Sequence, residues 1–557
     1  MRSPLRWLWY GLLLVPLLFL ALFFFYPLLS IFDISLRPDG TWDLSGFAQV
    51  ITSAYYRETL WFTIWQATLS TALTIGLALP SAYVFTRFRF RGKSLLLSLS
   101  TLPFVLPTVV VASAFTALIG SRGIVNQWLM SLLSLESAPI QLQNTLALVL
   151  IAHVFYNYAI ALRMITGYWA NQSTRIEEAA RVLGASGWRL WIDIRLPILR
   201  PILLASSILV FIFTFTSFGV VLILGGIRFA TLEVQIYYQA LSVFDLPLAA
   251  ALSLVQIGAM LAMMIVYTRL QRNISNDGIS SALHVARVPQ NLRQHALVCV
   301  TVTLMIVLLF TPLLALVYRS LFDDGTLTLA YYRALAENPR GSVLFASPLQ
   351  AIWTSLQYAL ITTGARLVLG VLTAYLIAGR GIPDRLSRWV DPLFMLPLAT
   401  SAVTLGFGFT VALDQPPLDL RASWIIIPIV HTLVAIPFVV RSILPALRRI
   451  PRNVQEAARV LGANAWQRWL LIELPLLSRG LIVGATFAFT VSMGEFGASL
   501  FIARRNITMP LVIFRLLGQP GSTNYGQAIA MSTLLMLVCA ISFVAIESIR
   551  KAEIGEF

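Results

Sequence analysis

The chain has 557 residues, 58% of them hydrophobic and 11% charged, whereas soluble domains carry about 25% charged residues; an ordinary soluble protein is excluded. Lys and Arg number 40 against 24 Asp and Glu, a net charge of +16. Most of these cations are Arg lying between apolar runs, so they read as loops facing anionic lipid and not as a nucleic-acid surface.

At roughly 20 residues per bilayer-spanning helix, this composition predicts an all-α polytopic membrane protein of about 12 transmembrane helices. The first run, from about Trp7 to Phe32, follows Arg2 and Arg6 and has no small-residue cleavage site behind it, so it reads as a retained span. Further runs begin near Trp61, Leu95, Asn144, Pro201 and Pro247, and a second series begins near His295, Gln350, Trp389, Ser423, Gly480 and Tyr525. Arg87, Arg89, Arg91 and Lys93, then Arg269, Arg272, Arg287 and Arg293, fall in alternate connections, with Asp33, Asp43 and Glu58 on the opposite side. Basic loops favour the cytoplasm, which puts both termini there. Arg504, Arg505 and Arg515 depart from this rule in the last outer loop. Cys299 and Cys539 both lie in apolar runs and support neither a disulfide framework nor a zinc site.

The two series of spans are copies. Residues 178–185, Glu-Ala-Ala-Arg-Val-Leu-Gly-Ala, recur unchanged at 456–463, an offset of 278, and the same offset pairs Trp188 with Trp466, His153 with His431 and Phe218-Gly219 with Phe496-Gly497. Each copy holds an even number of spans, so the halves share one orientation in the membrane. The expected divisions are a first half over 1–272, a polar cytoplasmic linker over 273–294 and a second half over 295–557. Within each half the longest inner loop, about 171–200 and 448–479, reads as a helix, a glycine turn at Gly184 or Gly462, and an amphipathic helix that stops at Pro197 or Pro475. One such loop alone would pass for a helix pair resting on lipid. Eight matched residues in order point instead to a partner that docks twice.

At these residues the sequence resembles the permease subunits of type I ABC importers, whose coupling motif runs Glu-Ala-Ala, three residues, Gly, nine residues, Ile, one residue, Leu-Pro. Glu178, Ala179, Ala180, Gly184, Ile194, Leu196 and Pro197 fit it in the first half, and Glu456, Ala457, Ala458, Gly462, Ile472, Leu474 and Pro475 fit it in the second. The fused two-half arrangement is similar to thiamine and iron(III) permeases, and the stretch from Ser217 to Gln256, with Ser217-Phe218-Gly219, Leu224-Gly225-Gly226 and the run from Thr231 to Leu241, looks more like the thiamine group. The resemblance implies an inner-membrane permease that imports a small solute, thiamine-like or ferric iron, from an extracytoplasmic binding protein. Two copies of a separate ABC ATPase would dock on the coupling loops and hydrolyse ATP, this chain binding no cofactor itself. It has no phosphate-binding loop of its own, because Arg87 stands where the first Gly of such a motif would precede Gly92-Lys93-Ser94.

Ionisable groups within spans are costly and face a cavity or a partner. His153, His431 and Glu495 are therefore candidates for the pathway, although a repeated histidine equally suits hydrogen bonding between helices. A twelve-span secondary carrier is the alternative, and it should show ion-coupling carboxylates at mid-membrane, where Glu495 stands nearly alone. An enzyme is not expected: the four histidines lack metal-ligand spacing and no catalytic cluster can be assembled.

Overall fold

The computed structural model describes residues 4–38, 40–276, 286–323, 325–337, 347–379, 384–414, 416, 418–504 and 507–554. Arg505 and linker residues 277–285 lie outside the described residues. Long apolar runs become helices because a backbone in hydrocarbon must bond to itself. Six helices of the first half are long and apolar enough to cross a membrane: Gly11–Leu36, Ala54–Arg87, Thr108–Leu133, Leu146–Ala170, Gly187–Phe215 and Leu246–Gln271. Five in the second half match them: Leu292–Leu321, Pro348–Ile377, Ile426–Arg449, Ala465–Gly494 and Ser522–Ser548. The remaining position, third in the second half, is a broken pair, Val390–Leu398 and Ala402–Ala412, meeting at 97°. Pro397 lies just before the break, and beyond it the Ser401 hydroxyl caps the new helix by accepting from the Thr404 N–H at 3.0 Å.

Two expected boundaries are corrected. The third span starts at Thr108 and not near Leu95; Lys93–Leu99 and Leu102–Val105 are separate short helices. Pro107 forces the break, since the residue before a proline is driven out of the helical region, and Leu106 has ψ 139°. The inner-loop segments do not stop at Pro197 and Pro475 either. They run without interruption into the fifth and eleventh spans, from Gly187 and Ala465. A wide turn precedes each proline, Leu190–Arg195 in one half and Trp469–Glu473 in the other. There the Leu196 N–H reaches Trp191 O and the Leu474 N–H reaches Trp469 O. This i to i+5 register accommodates the proline ring and its missing N–H where an α-helix would break.

The halves interlock. In the first half, Tyr26–Leu36 packs against Ala402–Ala412 of the second, and Leu292–Leu321 of the second packs against Thr108–Ile119 of the first. Ala402–Ala412 also lies against Gly497–Ile502. Close approach there requires Gly406, where a Cβ would stand 2.8 Å from Ala498 Cα and 2.9 Å from its carbonyl oxygen. Backbone cannot yield as a flexible side chain does, so Gly406→Val is expected to cost about 1–3 kcal/mol. A lowered melting temperature of the purified chain would show this; an unchanged one would mean that the helices part freely.

Candidate functional site

The inner-loop helices are Thr174–Val182 and Arg452–Val460. Gly184 and Gly462 end them with φ of +88° and +83°, as the glycine turn requires. In the same turns the Ala185 N–H bonds to Ala180 O at 2.9 Å and the Ala463 N–H to Ala458 O at 3.0 Å. A Cβ at either glycine would meet nothing within 4 Å, so substitution there carries backbone strain without a clash. Glu178, Ala179, Glu456 and Ala457 are exposed, while Ala180 and Ala458 are buried against the body. Ile194, Leu196, Ile472 and Leu474 are half-buried on the following helix, and Pro197 and Pro475 are exposed. The outermost residues are apolar: Val182 and Leu183 are each 88% exposed, and Val460 and Leu461 are 88% and 86% exposed.

A different carboxylate from the one singled out by the motif holds the first helix in place. Glu177 is buried and accepts a two-point bond from Arg195, Nε to Oε1 at 3.2 Å and Nη2 to Oε2 at 3.1 Å. Arg87 approaches it to 3.6 Å and Arg181 to 3.8 Å. Burial works to raise the Glu177 carboxyl, but Arg195, Arg87 and Arg181 outweigh it and hold the group below its ordinary range. Arg195 also lies over the rings of Trp191 and Tyr83, 4.8 and 5.0 Å from their centroids. In the second half the same two repeat positions hold Gln455 and Glu473, with the Gln455 amide donating to Glu473 Oε1 at 2.8 Å and the Tyr375 hydroxyl donating to Glu473. The polarity is reversed and the brace is kept. Sequence reading missed both braces, although the repeat offset would have exposed positions 177 and 195 as a pair that changes together.

On the seam between the halves lies a cavity of about 380 Å³. Phe218 and Phe496, matched by the repeat, stack across the seam with centroids 5.8 Å apart and planes 24° from parallel. Among the pathway candidates, His153 and Glu495 line this cavity. His431 does not: it is buried among helices, its ring nitrogens 2.8 Å from Ser492 Oγ and from Ser499 Oγ. The matching His153 bridges Ser70 Oγ at 2.9 Å and Ser217 Oγ at 2.8 Å. Both histidines therefore tie spans together, with His153 also presenting an edge to the cavity. Glu495 caps Gly497–Ile502, accepting from the N–H groups of Ala498 at 2.8 Å and Ser499 at 2.9 Å, and lies 3.3 Å from His431. Two further polar residues were not anticipated. Arg366 is wholly buried and donates to the carbonyls of His431 and Ala488, and Glu233 lines the cavity from the first half.

Interlocked six-helix halves, a cavity on their seam and paired surface helices below it are the architecture of a polytopic transport protein. The family described as binding-protein-dependent transport system inner membrane component matches residues 72–276 and 367–552, once in each half. The chain belongs to this family, the permease subunits of ABC importers, and is a multi-pass inner-membrane protein. It is 30% identical to the thiamine transport system permease protein ThiP of Escherichia coli over 89% of each chain. It is 29% identical to the ThiP of Salmonella typhimurium over 92% of this chain and 91% of the relative. A ferric transport system permease protein of Haemophilus influenzae, FbpB 1, is 26% identical over 91% of this chain and 80% of its own length.

Removing Arg195 leaves Glu177 half-paired, a loss of about 1–3 kcal/mol, and Arg195→Gln should speed amide exchange over 174–183 while sparing the second helix. Acid should do the same. Because the folded carboxyl titrates below its ordinary value, the brace is complete above that value and lost as pH falls through the lower one. Unaltered exchange in the variant would refute the brace.

Proposed function

We propose that this chain forms the translocation path of an ABC importer for thiamine or a thiamine-like cation, driven by two ATPase subunits docked on its inner-loop helices. The observation that carries the coupling part is the pair of matched, unsupported apolar tips, Val182-Leu183 and Val460-Leu461, each beside an exposed glutamate and a left-handed glycine. Apolar side chains this exposed at symmetric points favour burial under a partner. Glu178 and Glu456 would accept charge-assisted hydrogen bonds from basic groups of the ATPase, and Ala179 and Ala457 would let its surface come close. Two such contacts suit an ATPase present twice, and ATP is hydrolysed there. Both termini, and the loops at 171–200 and 448–479, are then cytoplasmic, and an extracytoplasmic binding protein delivers solute to the opposite face.

For the solute, support comes from the relatives and from the cavity. The two relatives with the higher identities are named for thiamine transport, and aromatic rings including Phe104, Tyr156, Phe213 and the Phe218–Phe496 stack line the cavity. Such a lining suits a flat organic cation. Ferric iron, the solute of the third relative, requires a shell of hard oxygen ligands, and the Glu495 oxygens are already turned to the backbone of Ala498 and Ser499.

ATP-driven closure of the two ATPases would move the halves as bodies and bias the path between two states. Parting the halves requires the stacked phenylalanines to separate. Because a side chain at Gly184 or Gly462 meets no neighbour within this chain, Gly184→Asp with Gly462→Asp costs about 1–2 kcal/mol of local strain at each turn and should leave the fold intact. Uptake of labelled thiamine by vesicles holding the assembled importer should fall to background in this double variant, with ATPase lost from pull-downs. Normal uptake by a well-expressed double variant would refute the docking assignment, and uptake of ferric iron in place of thiamine by the parent would refute the substrate.

A further inference from the structure

One group on the cavity wall has incomplete bonding. Glu233 lies on the short helix Leu232–Tyr238 of the first half and is wholly buried. One carboxylate oxygen, Oε1, accepts from the Gln256 amide. The other, Oε2, has no hydrogen-bond partner among the described residues. Ser401, from the second half, is within hydrogen-bonding reach of the carboxylate, and its hydroxyl also lies 3.0 Å from Thr404 Oγ1. Glu495, the second acid on the wall, is engaged by His431, Ala498 and Ser499. Among the described residues no Lys or Arg lines the cavity.

A carboxylate withdrawn from water and left without a counter-charge is costly and is driven toward its neutral form, and a cation beside it would restore the charge. The fold does not impose it, because the matching helix of the second half, Met509–Leu517, has the buried Pro510 at the equivalent position, one residue after the first. The acid is thus particular to one half, on a wall that also carries the rings of Phe104, Tyr156, Phe213, Phe218 and Phe496. We propose that Glu233 is the counter-charge of a subsite for a small organic cation with a flat conjugated ring, held between the aromatic walls as it crosses the seam. This rests on the cavity being the transport path, and it places the recognition of charge within the permease itself.

The test reads the field at the cavity without requiring the transported solute. In the full-length chain in native membranes, with Cys299→Ala and Cys539→Ala, a reporter thiol is placed by Ala402→Cys, on the cavity wall next to Ser401. At about pH 9, where an acid in such a site is ionised, a cationic methanethiosulfonate (the trimethylammonium-ethyl reagent) should label it about tenfold or more faster, relative to the anionic sulfonatoethyl reagent, than in the same chain carrying Glu233→Gln. Equal rate ratios with and without Glu233 overturn the proposal. A second measurement leaves Glu233 in place and decides the matter should the Gln variant fail to assemble. The cation 3-(hydroxymethyl)-1-methylpyridinium should slow labelling by neutral methyl methanethiosulfonate, whereas its uncharged isostere 3-methylbenzyl alcohol should not; equal protection by both, or by neither, overturns the subsite. Failure to transport thiamine would leave these results standing, since none of the probes is thiamine.

Discussion

Within hydrocarbon a polar group must find its partner in the protein, and this constraint organises the interior of both halves. His153 and His431 each bridge two hydroxyls from different segments. Arg366 satisfies two carbonyls, one of them that of His431, and Glu495 turns its charge onto the first N–H groups of a short helix. These bonds fix the segments that flank the seam, where irregular backbone is tolerated because it borders a cavity and is covered by protein. The broken span at Val390–Ala412 and the short helix at Leu232–Tyr238 belong to this zone.

The helix and glycine turn of each inner loop were legible because their information is local. A helix, a left-handed glycine and the alternation of buried and exposed alanines are set by residues within one turn of each other. Span count and the repeat were legible for the same reason, since hydropathy and identity need no partner. The breaks were harder. Pro107 and Pro397 lie at helix breaks, whereas Pro197 and Pro475 do not, because a wide turn precedes each of the latter. Proline alone does not carry that distinction; the register of the hydrogen bonds before it does.

Long-range pairings were not legible. Glu177 and Arg195 are eighteen residues apart on two helices that meet only after the glycine turn, and Arg366 reaches a carbonyl sixty-five residues on. His431 illustrates the ambiguity: a histidine in a span reads equally as a pathway group or as a strut, and its ties to Ser492, Ser499 and Glu495 are set by residues more than sixty positions away. Glu233 was in view within the Thr231–Leu241 stretch, but its significance lies in what it lacks, a donor for Oε2, which no sequence pattern expresses.

Duplication with fusion explains why the frame is symmetric and the cavity is not. A pair of identical subunits would place any acid twice at the seam, facing its own copy across the axis, where like charges repel. In one chain the two copies change independently. Ser217 matches Glu495, Pro510 matches Glu233, and the inner-loop brace reverses from Glu177–Arg195 to Gln455–Glu473. The surface helices have kept eight residues identical between the halves. On the cavity wall Glu233 keeps one oxygen without a partner while Glu495 is engaged. Under the proposed coupling to two ATPase subunits, symmetry is preserved where the partner would be duplicated and given up where the ligand would be single.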